Sequence, residues 1–133
     1  MELRKSFKST LSKSALYQAW VSPEMTIAPI VKIECEPKVN GHFKLFSKSE
    51  HGEGVMSGKF IEVEQDKKLK YTWHWEESPE KTEVTVEFIE NAKSTTVELL
   101  HTGFTTIESK EMHDSGWDHY FKSLEDKIKQ TNQ

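Results

Sequence analysis

One segment of the sequence concentrates large aromatic side chains at alternate positions. Residues 69–76 read Leu-Lys-Tyr-Thr-Trp-His-Trp-Glu, so Tyr71, Trp73 and Trp75 share one face of a predicted β-strand. Flat indole and phenol rings stack against apolar molecules, and their N–H and O–H groups can orient a bound ligand. The same three rings also suit a filled hydrophobic core. The pattern therefore leaves two interpretations open, a ligand cavity and a closed core.

His101 is the histidine that the strand pattern directs inward. It shares a face with Val97 and Leu99 in a predicted strand, and we expect it to lie near Trp117 or His119. An imidazole inside an apolar pocket can orient a ligand, or it can act as a general base in an enzyme. The alternative is a buried histidine whose nitrogens are satisfied by the backbone or by water.

The other histidines and the single cysteine form no recognisable site. His113 and His119 are six positions apart on a predicted helix and match no zinc signature. We expect them to be solvated or singly hydrogen-bonded, and we expect no metal site. Cys35 lies beside Ile33 on an inward strand face and is expected to be an inert small hydrophobe. The remaining histidines lie on separate strands or turns: His42, His51 and His74.

Other catalytic patterns are missing from the sequence. No serine lies in a G-x-S-x-G context, and the glycine pairs mark hairpins rather than a phosphate-binding loop. We therefore rank a binding role above an enzymatic one and expect no cofactor. The carboxylates that could pair for acid–base chemistry fall at turns or on wet strand faces: Glu76, Glu77, Glu83, Glu87 and Glu98.

The composition limits the classes of protein to which the chain can belong. It has 133 residues, 35% of them hydrophobic and 30% charged, with a formal net charge of −4. This length predicts one domain over residues 1–133. No apolar run approaches the ~18 residues of a membrane span. Proteins that bind nucleic acid usually have a basic surface, whereas this chain is mildly acidic. We therefore expect neither a membrane nor a nucleic acid as partner. One cysteine and an opening segment without an apolar stretch favour a cytoplasmic protein, monomeric or weakly dimeric.

The periodicity of apolar residues predicts the elements that position these side chains. Glu2–Ser9 alternates as a strand, residues 14–20 follow a helical period, and Ser22-Pro23-Glu24 is typical of a second, short helix. Six more strands follow between residues 30 and 102. Short turns such as Asn40-Gly41 separate them, which predicts an antiparallel meander. Residues 109–130 form a long helix with one apolar stripe: Trp117, Phe121, Leu124 and Ile128.

The long C-terminal helix is the only predicted element large enough to cover the apolar face of such a sheet. One helix is narrower than seven strands, so a sheet that curls around it leaves space between the two. We expect a pocket there. Gly116 supports this expectation, because a glycine inside a helix costs about 1 kcal/mol relative to alanine and indicates a packing or cavity reason.

An ordered set of segments resembles one known family. These segments are 15–20 with Ser22-Pro23-Glu24, then 41–43, 58–63, 69–73, 84–88, 96–103 and Gly116-Trp117. Together they cover nearly the whole chain and are similar to the activator of heat-shock-protein-90 ATPase homologue-like family, in its C-terminal-domain type, within the START/Bet v 1-like (SRPBCC) superfamily. The chain departs from the family pattern in the brief segment 23–29, which in the wider superfamily often borders the cavity mouth.

The resemblance implies an α+β helix-grip fold. This is a curved antiparallel sheet of about seven strands around a long C-terminal helix, with two short helices after the first strand. Members of the superfamily include lipid carriers, hormone and secondary-metabolite binders, polyketide cyclases and co-chaperone domains, so function has to be argued from the site.

We compare three hypotheses for the function. The first is a small cytoplasmic protein that binds a hydrophobic or aromatic small molecule in an internal cavity. The second is a co-chaperone-like module with a chaperone or another protein as partner. The third is a polyketide cyclase-like enzyme with His101 as base. For the first hypothesis the expected cavity residues are Phe43, Tyr71, Trp73, Trp75, Val86, Leu99, His101, Trp117 and Phe121.

Overall fold

A computed structural model describes residues 1–131 of the chain. Seven strands and two helices follow one another along it. In chain order they are β1 (Glu2–Ser9), α1 (Lys13–Trp20), β2 (Ile30–Cys35), β3 (His42–Ser49), β4 (Gly52–Glu64), β5 (Lys68–Trp75), β6 (Thr82–Glu90), β7 (Thr95–Thr102) and α2 (Ile107–Thr131).

The strands form one antiparallel sheet in the order β1-β7-β6-β5-β4-β3-β2. Strands β2 to β7 are the predicted meander, and β1 returns to pair with β7 over its full length, from Glu2 opposite Thr102 to Ser9 opposite Thr95. The sheet curves around the long helix, so the predicted helix-grip architecture is confirmed.

Close backbone contact between β4 and β5 explains Gly58. A Cβ atom added at this position would lie 2.2 Å from the backbone oxygen of Thr72. The neighbouring Lys59 N–H donates to the Thr72 hydroxyl at 2.9 Å, which fastens the two strands at the same point. Only a residue without a side chain lets these strands approach so closely.

Helix α1 begins where the sequence indicates. The Ser12 hydroxyl accepts the backbone N–H of Ala15 at 3.1 Å, which satisfies one of the free donors of the first turn. The helix buries one face against the sheet, and the Tyr17 ring meets Phe88 of β6 edge-on at 5.8 Å. Trp20, the last residue of α1, is 3% exposed.

The second short helix predicted after α1 is wrong, because residues 21–29 form separate turns. Ser22 accepts the N–H of Glu24 through its hydroxyl at 3.2 Å, as a cap would, but no helix propagates from it. Pro29 disfavours helical geometry at the preceding residue. The few residues between Pro23 and Pro29 cannot repay the cost of starting a helix.

Helix α2 lies across the concave face of the sheet and buries the predicted stripe. Trp117, Phe121, Leu124 and Ile128 are all at most 7% exposed. The Phe121 ring stacks on Phe7 of β1. Lys5, also on β1, bridges the carboxylates of Asp114 and Asp118 on the helix.

Within residues 1–131, no helix is both long and apolar enough to cross a membrane.

Candidate functional site

A cavity of about 420 Å³ lies between the concave face of the sheet and α2. Strands β2, β3 and β5 form one side, the first half of α2 forms the other, and the turns of residues 25–29 border the mouth. Exposed side chains at Met112 and His119, together with Gly116, mark its mouth on α2. The wall consists of Ala19, Trp20, Met25, Ile27, Ala28, Pro29, Ile30, Ile33, Phe43, Leu45, Ser47, Tyr71, Trp73, Trp75, Met112, His113, Gly116, Trp117, His119 and Tyr120.

Five of the nine residues expected at the cavity line its wall: Phe43, Tyr71, Trp73, Trp75 and Trp117. Alternation places the three rings of β5 on this face, and Phe43 of β3 stacks on Tyr71 with ring centroids 5.1 Å apart. Trp117 approaches from α2, where its ring centroid is 5.4 Å from that of Trp73.

The other four expected residues do not line the cavity, which corrects the prediction for them. Val86, Leu99, His101 and Phe121 are buried in the core beside β6, β7 and β1. On that side of the sheet α1 and Phe7 fill the space beneath the long helix. The cavity is therefore confined to the half of the sheet formed by β2 to β5, and these four side chains pack the closed half.

His113 links two indoles of the wall to the helix. Trp73 Nε1 and Trp75 Nε1 both donate to His113 Nε2, at 3.2 and 3.3 Å. His113 Nδ1 lies 2.8 Å from the backbone oxygen of Ser109. Because that oxygen can only accept, Nδ1 carries the proton and Nε2 is the acceptor. The expectation of a solvated or singly bonded His113 is therefore wrong.

The start of α2 is held in place by Glu80, between β5 and β6. Its carboxylate accepts the N–H and the hydroxyl of Thr105 and the hydroxyl of Ser109, at 2.7, 2.8 and 2.5 Å. Burial opposes the charge, but the bonds from Ser109 and Thr105 outweigh it and lower the pKa of Glu80. Ser109 is also the residue whose carbonyl orients His113, so Glu80 helps to position the His113 ring.

His101 lies inward beside Trp117, as expected, and both of its nitrogens are occupied. Trp117 Nε1 donates to Nδ1 at 3.1 Å, and Nε2 is 2.7 Å from the Thr82 hydroxyl. That hydroxyl donates to the Trp73 carbonyl, so Nε2 carries the proton and donates to it. Burial, reinforced by nearby His113, lowers the pKa of His101 to about 3. The ring is a neutral packing group with no free nitrogen, which argues against the cyclase-like hypothesis with His101 as base.

The turns of residues 25–29 are tied to α2 at the mouth of the cavity. His119 Nε2 lies 2.9 Å from the backbone oxygen of Ala28, and Lys127 donates to the backbone oxygen of Thr26. Gly116 is part of the wall, and a Cβ atom added there meets nothing within 4 Å, so the space beside it is open.

Two tyrosines, the buried Tyr71 and the half-buried Tyr120, belong to the wall. Tyr71 accepts the N–H of Trp20 at 3.1 Å, and the Tyr120 ring meets Trp20 edge-on at 4.9 Å. Burial raises the pKa of Tyr71 well above its usual range and has the same effect on Tyr120, where neighbouring Tyr71 adds to it. Burial also raises the pKa of the half-buried Cys35 thiol, to about 12, so the thiol stays protonated.

Sequence reasoning missed His113, His119, Tyr120 and the turns of residues 25–29. His113 carries a usable signal, because it precedes Trp117 by one helical turn and extends the apolar stripe. Tyr120 is adjacent to Phe121 and lies at the edge of the same stripe. The turns carry no periodic signal, since two prolines interrupt them.

Solved structures with the same fold share little sequence with this chain. Protein MLL2253 from Mesorhizobium loti matches with a TM-score of 0.85 at 21% identity, over 98% of each chain. Protein CV1439 from Chromobacterium violaceum matches with a TM-score of 0.85 at 16% identity, over 96% of each chain. Ara h 8.0201 matches with a TM-score of 0.82 at 15% identity, over 96% of this chain and 97% of its own. At these identities the likeness establishes the Bet v 1-like fold alone.

No curated protein matches this chain in sequence. The sequence pattern of the Activator of Hsp90 ATPase homolog 1-like protein family matches residues 10–129, and the chain therefore belongs to that family.

Proposed function

We propose that this protein binds a small apolar or aromatic molecule in the cavity between α2 and the sheet. The observation that carries the proposal is a space of about 420 Å³ walled by four tryptophans, Trp20, Trp73, Trp75 and Trp117. Small-molecule sites commonly have volumes of roughly 300–1,000 Å³ and are mostly apolar with a few placed polar groups.

The hydrogen bonds of the indole N–H groups favour a ligand that stacks on these rings over one that hydrogen-bonds to them. The N–H groups of Trp73 and Trp75 are taken by His113, and that of Trp117 is taken by His101. These bonds fix the planes of the rings. A flat ligand would then meet rigid aromatic surfaces, which lowers the entropy cost of binding.

Burial of apolar surface would supply the driving force. At about 25 cal/mol per Å², a ligand that buries about 250 Å² gains about 6 kcal/mol before the cost of association. Since about 4 kcal/mol corresponds to a dissociation constant of roughly 1 mM, we expect affinities between about 0.1 and 1 mM for a ligand of two or three rings that stacks on Trp73.

The other two hypotheses lack a comparable feature in residues 1–131. His101 has no free nitrogen for catalysis. Large exposed apolar side chains that could receive a protein partner are spread over several elements, as in Val31 of β2, Ile89 of β6 and Met112 of α2.

Titration with N-phenyl-1-naphthylamine tests the proposal, because this uncharged dye becomes fluorescent in apolar surroundings. We expect saturable binding to the natural protein. In Gly116→Leu a leucine side chain occupies the mouth, so the dissociation constant rises at least tenfold.

Ser115→Leu is the matched control, since Ser115 is the exposed neighbour on the same helix and lies outside the wall. It adds the same side chain and should leave dye binding unchanged. No saturable signal, or an equal loss in both leucine variants, would contradict the proposed function.

A further inference from the structure

We propose that the cavity selects a neutral ligand that carries an oxygen acceptor, and that the hydroxyls of Tyr71 and Tyr120 donate hydrogen bonds to this oxygen. The inference rests on the proposed function and defines the chemical class of the ligand. A ketone or another uncharged carbonyl compound with an otherwise apolar or aromatic body meets this description.

The Tyr71 hydroxyl has a proton to donate. It accepts the Trp20 N–H at 3.1 Å, and within residues 1–131 no acceptor receives its own hydrogen. The side chain is 1% exposed and forms part of the cavity wall. A phenol both donates and accepts, and a buried donor left without a partner is costly. A ligand oxygen would supply the missing acceptor.

The Tyr120 hydroxyl makes no hydrogen bond to any residue in the described part of the chain. Its ring lines the cavity and packs edge-on against Trp20, the same side chain that donates to Tyr71. Trp20 thus contacts both tyrosines, whose side chains lie in one region of the wall. Phenols are protonated at neutral pH, and burial raises both pKa values further, so each hydroxyl has a proton to donate.

The two histidines of the wall are already hydrogen-bonded. Both nitrogens of His113 are bonded, and His119 reaches across the mouth to Ala28. Ser47, half-buried on β3 opposite Ile30, contributes the remaining hydroxyl of the wall. The tyrosine pair therefore supplies the aromatic part of the wall with its hydroxyl donors.

The wall contains no aspartate, glutamate, lysine or arginine side chain. His101, just behind it, stays neutral. A charged ligand would lose its hydration without gaining an opposite charge, which is strongly unfavourable in an apolar cavity. The site therefore favours an uncharged ligand.

Benzophenone and diphenylmethane form the pair of probes that tests this inference, because they differ only in the carbonyl group. Their dissociation constants are measured by titration of the full chain, followed through backbone and indole N–H signals in NMR spectra. We expect benzophenone to bind at least tenfold more tightly than diphenylmethane. The charged analogue 4-benzoylbenzoate should bind at least tenfold more weakly than benzophenone.

Tyr120→Phe is the principal variant, since its hydroxyl bonds no residue in the described part of the chain, so that we expect little loss of stability. It should weaken benzophenone binding about fivefold to tenfold and leave diphenylmethane binding unchanged. Tyr71→Phe should have the same selective effect, with some loss of stability because Trp20 loses its acceptor. Tyr17→Phe is the matched control, as Tyr17 lies on α1 outside the wall, and it should change neither affinity.

The outcomes separate this inference from the proposed function. If both probes bind equally, or if Tyr120→Phe leaves the preference for benzophenone intact, the tyrosine pair does not recognise the ligand although the cavity binds it. Binding of 4-benzoylbenzoate as tightly as benzophenone overturns the requirement for a neutral ligand. If neither uncharged probe binds, the proposed function fails together with the inference.

Discussion

At the scale of single residues, two histidines hold three tryptophans in the centre of the molecule. His113 accepts from Trp73 and Trp75, and His101 accepts from Trp117. In each case the opposite nitrogen donates to a protein oxygen, which fixes the tautomer. Both rings act here as neutral hydrogen-bonding groups.

The burial of His101 predicts a dependence of stability on pH. Its pKa is about 3 in the folded state against 6.5 as the ordinary value, so between these values the unfolded chain binds more protons. The free energy of unfolding then decreases as the pH falls from 6.5, by up to about 1.4 kcal/mol per pH unit. Urea denaturation between pH 6.5 and 5 measures this slope, in a range above the ordinary pKa of carboxylates.

His101→Gln is the comparison for this measurement, because an amide retains a donor and an acceptor but does not titrate in this range. The variant should be less stable than the natural protein at pH 7 and should show a shallower slope. An identical slope in the two proteins would mean that His101 is not the source of the pH dependence.

At the scale of elements, the close contact between β4 and β5 at Gly58 sets the position of β5, which carries Tyr71, Trp73 and Trp75. Gly58→Ala places a Cβ atom against the backbone oxygen of Thr72, an atom that cannot move aside without separating the strands. We expect the substitution to destabilise the protein by about 2–3 kcal/mol. Urea denaturation followed by circular dichroism provides the measurement.

Gly54→Ala serves as the matched control on the same strand. Its added Cβ would make ordinary contacts of 3.7 Å with the Trp75 ring, so we expect a change within about 0.5 kcal/mol. Equal effects of the two substitutions would show that strand spacing does not explain Gly58.

Sequence periodicity predicted the seven strands, α1 and α2 because each strand of the meander is closed by a local turn signal and each helix has one apolar stripe. It directed Tyr71, Trp73 and Trp75 inward for the same reason. Periodicity could not predict which part of the sheet α1 covers, because that depends on contacts between residues distant in sequence, such as Tyr17 and Phe88. Leu99 and Trp73 therefore looked equivalent, although only Trp73 lines the cavity.

At the scale of the whole molecule, the fold divides the space beneath the long helix into two halves. One half is closed by α1 and Phe7 and forms the packed core. The other half contains a cavity of about 420 Å³. Its wall includes the rings of β5 and the turns of residues 25–29, where the sequence shows no periodic pattern.

A crystal structure of the protein with N-phenyl-1-naphthylamine tests the central claim most directly. We predict electron density for the dye between α2 and the sheet, in contact with Trp73, Trp117 and Ile33, with the indoles still bonded to the two histidines. A cavity filled by the protein's own side chains, with the dye absent or bound on the outer surface, would contradict the claim that this space is a ligand-binding site.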